Sequence, residues 1–140
     1  MNRKTILIVE DDRDLQLAMS VRMVAHGFKS ISAKDAASAI QLAATQKPDL
    51  ILLDLGLPDS NGFVVMEVIK QLKSVAAVPI IVASARPAEV YREPALLAGA
   101  KDYFQKPFDN DALLSAIQRE LGEQPPLASE AAGKLLIAQH

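Results

Sequence analysis

The sequence predicts an α/β protein whose parallel sheet is covered by helices on both faces. Five short apolar segments alternate along the chain with segments of helical periodicity, and that alternation is typical of a parallel sheet. The segments are apolar at consecutive positions, as in residues 50–53, which indicates strands buried on both faces. Four of the five end directly in a charged or hydroxyl-bearing residue, and open parallel sheets bind ligands beyond the carboxyl ends of their strands.

The first predicted strand covers residues 5–9 and runs into Glu10, Asp11 and Asp12. A helix follows, because an apolar face that only Arg22 interrupts recurs at helical spacing. The members of that face are Leu15, Ala18, Met19 and Met23. Gly27 is expected to end the helix as a left-handed cap, since glycine adopts positive φ without a steric penalty.

A weak second strand is predicted at residues 28–31, followed by a helix that ends at Gln46. Ser32 and Asp35 have the Ser-x-x-Asp spacing of a capping box, so we expect Ser32 to begin this helix. Residues 47–49 form the break before the third strand. That strand, residues 50–53, runs directly into Asp54.

A turn at residues 58–62 precedes the third predicted helix, residues 63–73, and the fourth strand at residues 80–83 ends at Ser84. Pro87 and Pro94 both fall in the segment that follows. A proline inside a helix costs about 3 kcal/mol, whereas a proline at the first position is favoured. We therefore expect the fourth helix to start near Pro94 and residues 87–93 to be irregular.

The fifth strand, residues 103–105, leads into Lys106 and Pro107. Asp109 is expected to cap a final helix whose apolar positions face the sheet, namely Leu113, Leu114, Ile117 and Leu121. The composition changes from Gly122 onward, where residues 123–126 resemble a linker. Residues 127–140 fit either a frayed helix or the severed beginning of something else.

Length and composition restrict the classes of function. A chain of 140 residues, 50% hydrophobic and 23% charged, fits one globular domain. The absence of cysteine excludes disulfides, thiolate metal sites and a cysteine nucleophile. No apolar run reaches the roughly 20 residues of a membrane span, and no signal peptide is evident, so we expect a cytoplasmic protein without membrane contact. A net charge of −2 and the lack of a basic stripe argue against direct nucleic-acid contact.

The acidic residues after the first and third strands predict a metal site. The carboxylates of Glu10, Asp11 and Asp54 would lie close together, and their ionisation is costly unless a cation sits among them. Such oxygen ligands suit Mg²⁺. Asp12 is an alternative to its neighbours, although the spacing to Asp54 favours Glu10 and Asp11. Asp54 follows four apolar residues, so its carboxylate is partly desolvated and rigidly held, as a nucleophile should be.

The chain resembles the receiver domain of two-component response regulators, and among these the single-domain chemotaxis regulators. The residues that carry the resemblance are Glu10, Asp11, Asp54, Ser84, Tyr103, Lys106 and Pro107, with Pro58 and Gly62 after the third strand. The receiver domain would cover residues 4–121, and residues 122–140 would be a linker-like C-terminal tail. The resemblance implies a flavodoxin-like, doubly wound, five-stranded sheet of order 2-1-3-4-5.

The resemblance implies that Asp54 accepts a phosphoryl group from a phosphohistidine. It further implies that Mg²⁺ is bound directly by Asp11, Asp54 and the backbone carbonyl of Gly56, and through water by Glu10.

The same resemblance assigns roles to the later signature residues. Ser84 and Lys106 would contact the phosphoryl oxygens, and a cis peptide bond before Pro107 would direct the lysine inward. Tyr103 would be the aromatic residue that turns inward when the domain switches. An edge-strand aromatic that packs on a neighbouring helix fits its position equally well.

The partners implied by the resemblance are a sensor histidine kinase or phosphotransfer protein, and an output domain or protein on the face formed by helix 4, strand 5 and helix 5. A homodimer is also compatible. The domain would not be an enzyme, although it would assist its own phosphorylation and dephosphorylation. A free-standing regulator and a piece of a longer protein fit equally well. Ala116 occupies a position where winged-helix DNA-binding regulators typically carry arginine, which argues against that subgroup.

Three other classes fit the sequence less well. Phosphatases of the haloacid dehalogenase type need an acid two residues after the nucleophile, where this chain has Gly56. A degenerate receiver that only binds proteins would normally lack the acceptor Asp or the lysine, and both are present. A flavin-binding protein of the same topology would need a phosphate-binding loop after the first strand.

Overall fold

The computed structural model describes residues 3–123 and contains the predicted alternation of strands and helices. The strands are β1 (Thr5–Val9), β2 (Lys29–Ala33), β3 (Leu50–Leu53), β4 (Ile80–Ser84) and β5 (Asp102–Gln105). The helices are α1 (Arg13–Ala25), α2 (Ala36–Gln46), α3 (Gly62–Gln71), α4 (Ala88–Leu97) and α5 (Asn110–Glu120). The strands form one parallel sheet of order β2-β1-β3-β4-β5, which confirms the predicted fold class and strand order.

The order of the strands determines where the helices lie and where a ligand can bind. The chain steps from β1 to β2 in one direction and then returns past β1 to β3 and onward. Because crossovers between parallel strands are almost always right-handed, this reversal puts α1 on one face and α2, α3 and α4 on the other. The reversal leaves a crevice at the carboxyl ends of β1 and β3, where doubly wound sheets bind ligands.

The three central strands, β1, β3 and β4, are buried on both faces, whereas the edge strands β2 and β5 are only partly buried. One face shares a hydrophobic core with α2, α3 and α4, and its buried strand residues are Leu7, Val9, Ala33, Ile51, Leu53, Ile80, Val82 and Tyr103. Successive side chains of a strand point to opposite faces, so the intervening residues form the other face. In β1, β3 and β4 they are equally buried, and they are Ile6, Ile8, Leu50, Leu52, Ile81 and Ala83.

The chain divides into two compact units, one ending at Pro107 and the other beginning at Phe108. The second unit holds α5, which Asp109 caps as predicted by accepting a hydrogen bond from the Asp111 N–H (3.0 Å). Three of the four predicted apolar positions are buried, namely Leu113, Leu114 and Ile117, whereas Leu121 is half-buried at the C-cap. Residues 127–140, for which the sequence left open a frayed helix or the severed beginning of something else, lie outside the described residues.

The predicted start of α2 at Ser32 is wrong. Ser32 lies within β2 because that strand continues its pairing with β1 as far as Ala33, whose carbonyl accepts the N–H of Glu10 (2.9 Å). The N-cap is Asp35 instead, and its carboxylate accepts the Ser38 N–H (2.8 Å). The Ser38 hydroxyl also donates to this carboxylate, and that bond together with the one from the Ser38 N–H lowers the pKa of Asp35.

The prediction that residues 87–93 are irregular is also wrong. Pro87 is the N-cap of α4, and the helix continues through Pro94 to Leu97. Bonds to β5 hold the turns before Pro94: Gln105 Oε1 accepts the Ala88 N–H (2.8 Å), and Arg92 donates to the Tyr103 carbonyl (3.0 Å). These long-range bonds offset the local cost of the proline.

The C-terminal end of α4 is bound to α3. The Lys70 ammonium donates to the carbonyl of Ala98, the C-cap residue of α4. The next residue, Gly99, has φ +116°, a conformation that favours glycine. A Cβ atom at position 99 would also overlap the Lys70 side chain. Within residues 3–123, no helix is long and apolar enough to cross a membrane.

Candidate functional site

Three carboxylates meet where the sheet reverses its strand order. Val9 pairs with Leu53 at the ends of β1 and β3, so Glu10 and Asp54 emerge side by side. One carboxylate oxygen from each of Glu10, Asp11 and Asp54 lies within 4.8 Å of the others. Glu10 is only 3% and Asp54 8% exposed, whereas Asp11 faces solvent. The structure therefore brings together the three acids predicted for a metal site.

The Lys106 ammonium reaches this cluster from the end of β5. It forms ion pairs with Glu10 Oε1 and with Asp54 Oδ2, the latter at 3.1 Å. The Lys106–Pro107 peptide bond is cis, as the resemblance implied. Three carboxylates and one ammonium leave a formal charge of −2 among these four side chains, which a divalent cation would balance.

The two most enclosed partners influence each other's ionisation. Burial raises the pKa of Glu10, and the hydrogen bond from Lys106 counters that effect only in part. Burial by itself would lower the pKa of Lys106, but the contact with Glu10 and the charge of Asp54 raise it above its ordinary value. Lys106 therefore stays a cation beside Asp54 at neutral pH.

The orientation of the Asp54 carboxylate is fixed at both oxygens. Its Oδ1 accepts the backbone N–H of Gly56 (3.1 Å), and its Oδ2 accepts from Lys106. The start of α3 passes very close to the Asp54 backbone, because a Cβ atom at Gly62 would lie 2.7 Å from the Asp54 carbonyl oxygen. The side chain is thus held in one orientation, as expected for a nucleophile.

Asp12 belongs to the start of α1 rather than to the acid cluster. Its carboxylate caps the helix by accepting the Leu15 N–H (3.1 Å), and its own N–H donates to Glu10 Oε2 (3.0 Å). Its side chain is absent from the group of clustered acids within residues 3–123. The Asp12 N–H therefore binds the Glu10 carboxylate, while the Asp12 carboxylate caps α1.

Ser84 is the last residue of β4, Tyr103 lies within β5, and both contact the backbone of Arg86. Ser84 Oγ accepts the Arg86 N–H (3.2 Å), and the Tyr103 hydroxyl donates to the Arg86 carbonyl (2.7 Å). Both side chains are buried, and burial raises the pKa of Tyr103. The two predicted switch residues are therefore linked through one intervening residue.

The sequence did not identify three polar side chains that organise the surroundings of the site. Arg92 and Gln105 join α4 to β5. The third is Asp59, whose carboxylate accepts the N–H groups of Ala36 and Ala37 at the start of α2. Their partners lie 11 to 23 residues away in the chain, so no local pattern could have indicated these bonds.

The donor set fits Mg²⁺. This ion prefers hard oxygen ligands and usually keeps several waters, so one or two carboxylates and a carbonyl are sufficient. The candidate ligands are Glu10, Asp11 and Asp54 with the carbonyl of Gly56. Glu10 and Asp11 also line a cavity of about 600 Å³, whose other walls come from α1, β2 and the start of α2.

Comparison with known proteins places this site in a family. The family model described as the response regulator receiver domain matches residues 6–118. The chain is 44% identical to the KDP operon transcriptional regulatory protein KdpE of Escherichia coli over 103 residues, which cover 74% of this chain and 44% of that protein. It is 29% identical to Protein PilH of Pseudomonas aeruginosa, with 83% of this chain and 96% of PilH covered.

A solved structure is similar in fold and sequence. It is the receiver domain of a sensor histidine kinase from Pseudomonas aeruginosa, which holds a magnesium ion coordinated in its active-site cleft. The TM-score is 0.79 at 31% identity, with 87% of this chain and all of that chain covered.

The match is partial for several relatives. The chain spans between 44% and 63% of the length of the KdpE proteins from Escherichia coli and Mycobacterium tuberculosis. These relatives are transcriptional regulatory proteins. The similarity to them therefore does not support the expectation, based on Ala116, that this chain lies outside the DNA-binding regulators.

Proposed function

Because this chain belongs to the response regulator receiver domain family, we propose that Asp54 accepts a phosphoryl group from the phosphohistidine of a sensor histidine kinase or phosphotransfer protein. The chain is thus a receiver domain of two-component signalling. The observation that carries the finer proposal is the nearly buried Asp54 carboxylate, held between an ammonium and two further acids at the reversal point of the sheet.

The proposed reaction moves one phosphoryl group between two side chains. An oxygen of Asp54 attacks the phosphorus, an O–P bond forms, and the N–P bond to the donor imidazole breaks. The imidazole nitrogen keeps the electron pair and takes up a proton. Lys106 remains charged and offers its ammonium to the oxygens of the transferred group, since phosphoryl transfer is catalysed mainly by positioning and charge neutralisation.

Mg²⁺ would supply further neutralisation of the phosphoryl oxygens in the same site. Asp11, Asp54 and the Gly56 carbonyl would hold it directly, and Glu10 would act through water. Glu10 also keeps Lys106 in place through their ion pair. The domain itself becomes the product, so we propose that it is a phosphoacceptor which assists its own phosphorylation and dephosphorylation rather than an enzyme.

The response to phosphorylation would pass through Ser84 to α4 and β5. A new phosphoryl group adds about −1.5 to −2 charges, which attract a hydroxyl donor. Ser84 Oγ now accepts the Arg86 N–H, and Arg86 is also bonded by Tyr103. A movement of Ser84 toward Asp54 would therefore disturb the Arg86 backbone just before α4. That part of the molecule would carry the surface read by an output domain or protein.

The test is phosphorylation by a small donor. We expect acetyl phosphate with Mg²⁺ to add one phosphoryl group to the wild-type protein, and EDTA to prevent it. Asp54→Asn should abolish the adduct in intact-protein mass spectrometry, because an amide is a much weaker nucleophile. Asp12→Asn is the matched control, since it removes an acid outside the cluster and should leave the adduct in place. An undiminished adduct in Asp54→Asn would exclude the proposed acceptor.

A further inference from the structure

Asp59 joins the loop that follows Asp54 to the start of α2. Its Oδ1 accepts the Ala36 N–H (2.8 Å) and its Oδ2 accepts the Ala37 N–H (3.1 Å). These are the first two helical residues of α2 and have no partner within the helix. Asp35, the N-cap, already accepts the N–H of the third helical residue, Ser38. The first turn of α2 is thus capped twice, once from its own chain segment and once from a loop 22 or 23 residues away.

The loop that bears Asp59 also presents Gly56. Gly56 pairs with Asn61 in an isolated antiparallel bridge, and the Gly62 N–H donates to the Leu55 carbonyl (2.9 Å). Residues 56–61 therefore form a narrow loop with Asp59 near its exposed tip. The base of this loop is fixed by β3 and α3, but its tip is held by the two bonds of Asp59.

The start of α2, to which Asp59 is bonded, is connected through β2 to the acid cluster. α2 follows β2, and the β2 residue Ala33 accepts the N–H of Glu10. The bonds of Asp59 thus complete a ring from Glu10 through β2, α2 and the loop to Gly56 and Asp54. The direct bond from the Asp54 N–H to the Val9 carbonyl (3.1 Å) already sets the separation of β1 and β3, so the ring adds a restraint on residues 56–61.

We propose that Asp59 is a positioning residue for the metal site: by fixing the tip of the loop, it limits movement of the whole loop, including its base, where Gly56 pairs with Asn61, and so keeps the Gly56 carbonyl where a divalent cation coordinated by Asp11 and Asp54 needs it. The inference rests on the proposed function only in taking Mg²⁺ as the ion. Residues that orient metal ligands from behind typically change affinity by about 10- to 100-fold when removed. We expect Asp59→Ala to weaken Mg²⁺ binding about tenfold.

A role in helix capping alone predicts a different result. Asp35→Ala removes a cap from the same turn of α2 but leaves the loop bonds intact. It should destabilise α2 without changing Mg²⁺ affinity by more than about twofold, since the position of Gly56 is then unaffected. Asp59→Asn retains one accepting oxygen for the two N–H groups, so its affinity should lie between those of wild type and Asp59→Ala.

The experiment is a calorimetric titration of Mg²⁺ into wild type, Asp59→Ala, Asp59→Asn and Asp35→Ala, with circular dichroism to check folding. Should Asp59→Ala not fold, Asp59→Asn decides. The second readout is the rate of phosphorylation by acetyl phosphate against Mg²⁺ concentration. The half-saturating concentration should rise about tenfold in Asp59→Ala, while the maximal rate stays within twofold of wild type.

Equal affinities in all four proteins, or an equal loss in Asp35→Ala and Asp59→Ala, would overturn the inference. A maximal rate that saturating Mg²⁺ does not restore would overturn it as well. The proposed function fails in a different way: Asp54→Asn would keep its phosphoryl adduct, or wild type would acquire none, while the titrations still decide the role of Asp59.

Discussion

The acid cluster and α4 lie in the same compact unit but are held in place in opposite ways. The residues that lead into the cluster, Val9 and Leu53, are no more than 1% exposed and are paired within the sheet. In α4 the single buried residue is Ala95, whereas Val90 is 61% and Leu97 80% exposed. The site rests on a close-packed sheet, whereas α4 buries only Ala95 fully, packs Ala88 and Tyr91 against the core in part, and is joined to its neighbours by polar bonds as well.

These polar bonds are few and lie near the surface. Gln105 holds the first turn of α4, Arg92 the second, and Lys70 its C-terminal end. A hydrogen bond of this type contributes about 1 kcal/mol, and an exposed ion pair no more. Buried apolar side chains contribute about 1.5–3 kcal/mol each. Moving a single one out of the core leaves a void, which is itself destabilising.

The difference shows where the molecule can change shape. The proposed phosphoryl transfer would need ligands that stay fixed, and the packed ends of β1 and β3 would provide that. A response to phosphorylation needs an element with a low cost of rearrangement, which a helix held by exchangeable polar bonds provides. Three changes test this contrast, beginning with the largest expected effect.

Lys106→Met should destabilise the metal-free protein by about 3 kcal/mol at pH 7.5, because it leaves two nearly buried carboxylates without their cation. Without the ammonium, the pKa of Glu10 rises further above its ordinary value. A group with a raised pKa keeps its proton in the folded state, so the loss should shrink as the pH falls toward that pKa.

Urea unfolding at pH 7.5 and pH 5, with and without Mg²⁺, measures this effect. Mg²⁺ should recover much of the loss, since the metal ligands remain. Lys101→Met, at an exposed lysine before β5, is the matched control and should change stability by less than about 0.5 kcal/mol. A pH-independent loss that Mg²⁺ does not relieve would mean that Lys106 acts through packing alone.

Gly62→Ala should destabilise the fold by about 2 kcal/mol, because the new Cβ would press on the Asp54 carbonyl at 2.7 Å and on Leu55 at 3.0 Å. Gly56→Ala is the control, where the nearest neighbour of a new Cβ, Asp54 Oδ1, is 4.0 Å away and no steric cost is expected. Thermal unfolding compares the two variants. Equal stability would show that the backbone behind Asp54 can yield, and the contrast with α4 would fail.

Arg92→Ala should cost only about 1 kcal/mol, because it removes one hydrogen bond and a half-exposed ion pair with Asp102. The loss should be local: amide hydrogen exchange should accelerate in α4 but not in β1 or β3. Beryllofluoride, a substitute for the phosphoryl group, should change exchange in α4 of the wild type.

Glu93→Ala serves as the control for Arg92→Ala, since Glu93 is exposed and adjacent in the helix. If the amides of α4 exchange as slowly as those of the strands and do not respond to beryllofluoride, then α4 is not easier to rearrange than the acid cluster. The contrast between the two regions would then be wrong.

The sheet could be predicted from the sequence because its signals are local. Runs such as residues 50–53 indicate burial on both faces by themselves, and the strand order followed from a family resemblance. The rule that polar residues after parallel strands converge correctly brought Glu10, Asp54 and Lys106 together. Their chemical roles remain predictions.

The errors came where distant bonds override local preference. Pro94 was expected to start α4, yet Arg92 and Gln105 stabilise the turns before it from β5. Ser32 was expected to cap α2, yet pairing with β1 keeps it in a strand. Neither the two bonds from α4 to β5 nor the pairing of β2 with β1 can be recognised from a window of neighbouring residues.

The contact between Lys70 and Gly99 has a consequence for how this chain can change over generations. A side chain at position 99 collides with the lysine, and the lysine is bonded to the adjacent Ala98 carbonyl. Shortening of Lys70 makes room, although the positive φ of Gly99 still disfavours other residues. The effects of the two substitutions are therefore not additive, and their order matters. A lineage that first replaces Lys70 can then sample position 99 at reduced cost, whereas the reverse order passes through a less stable intermediate.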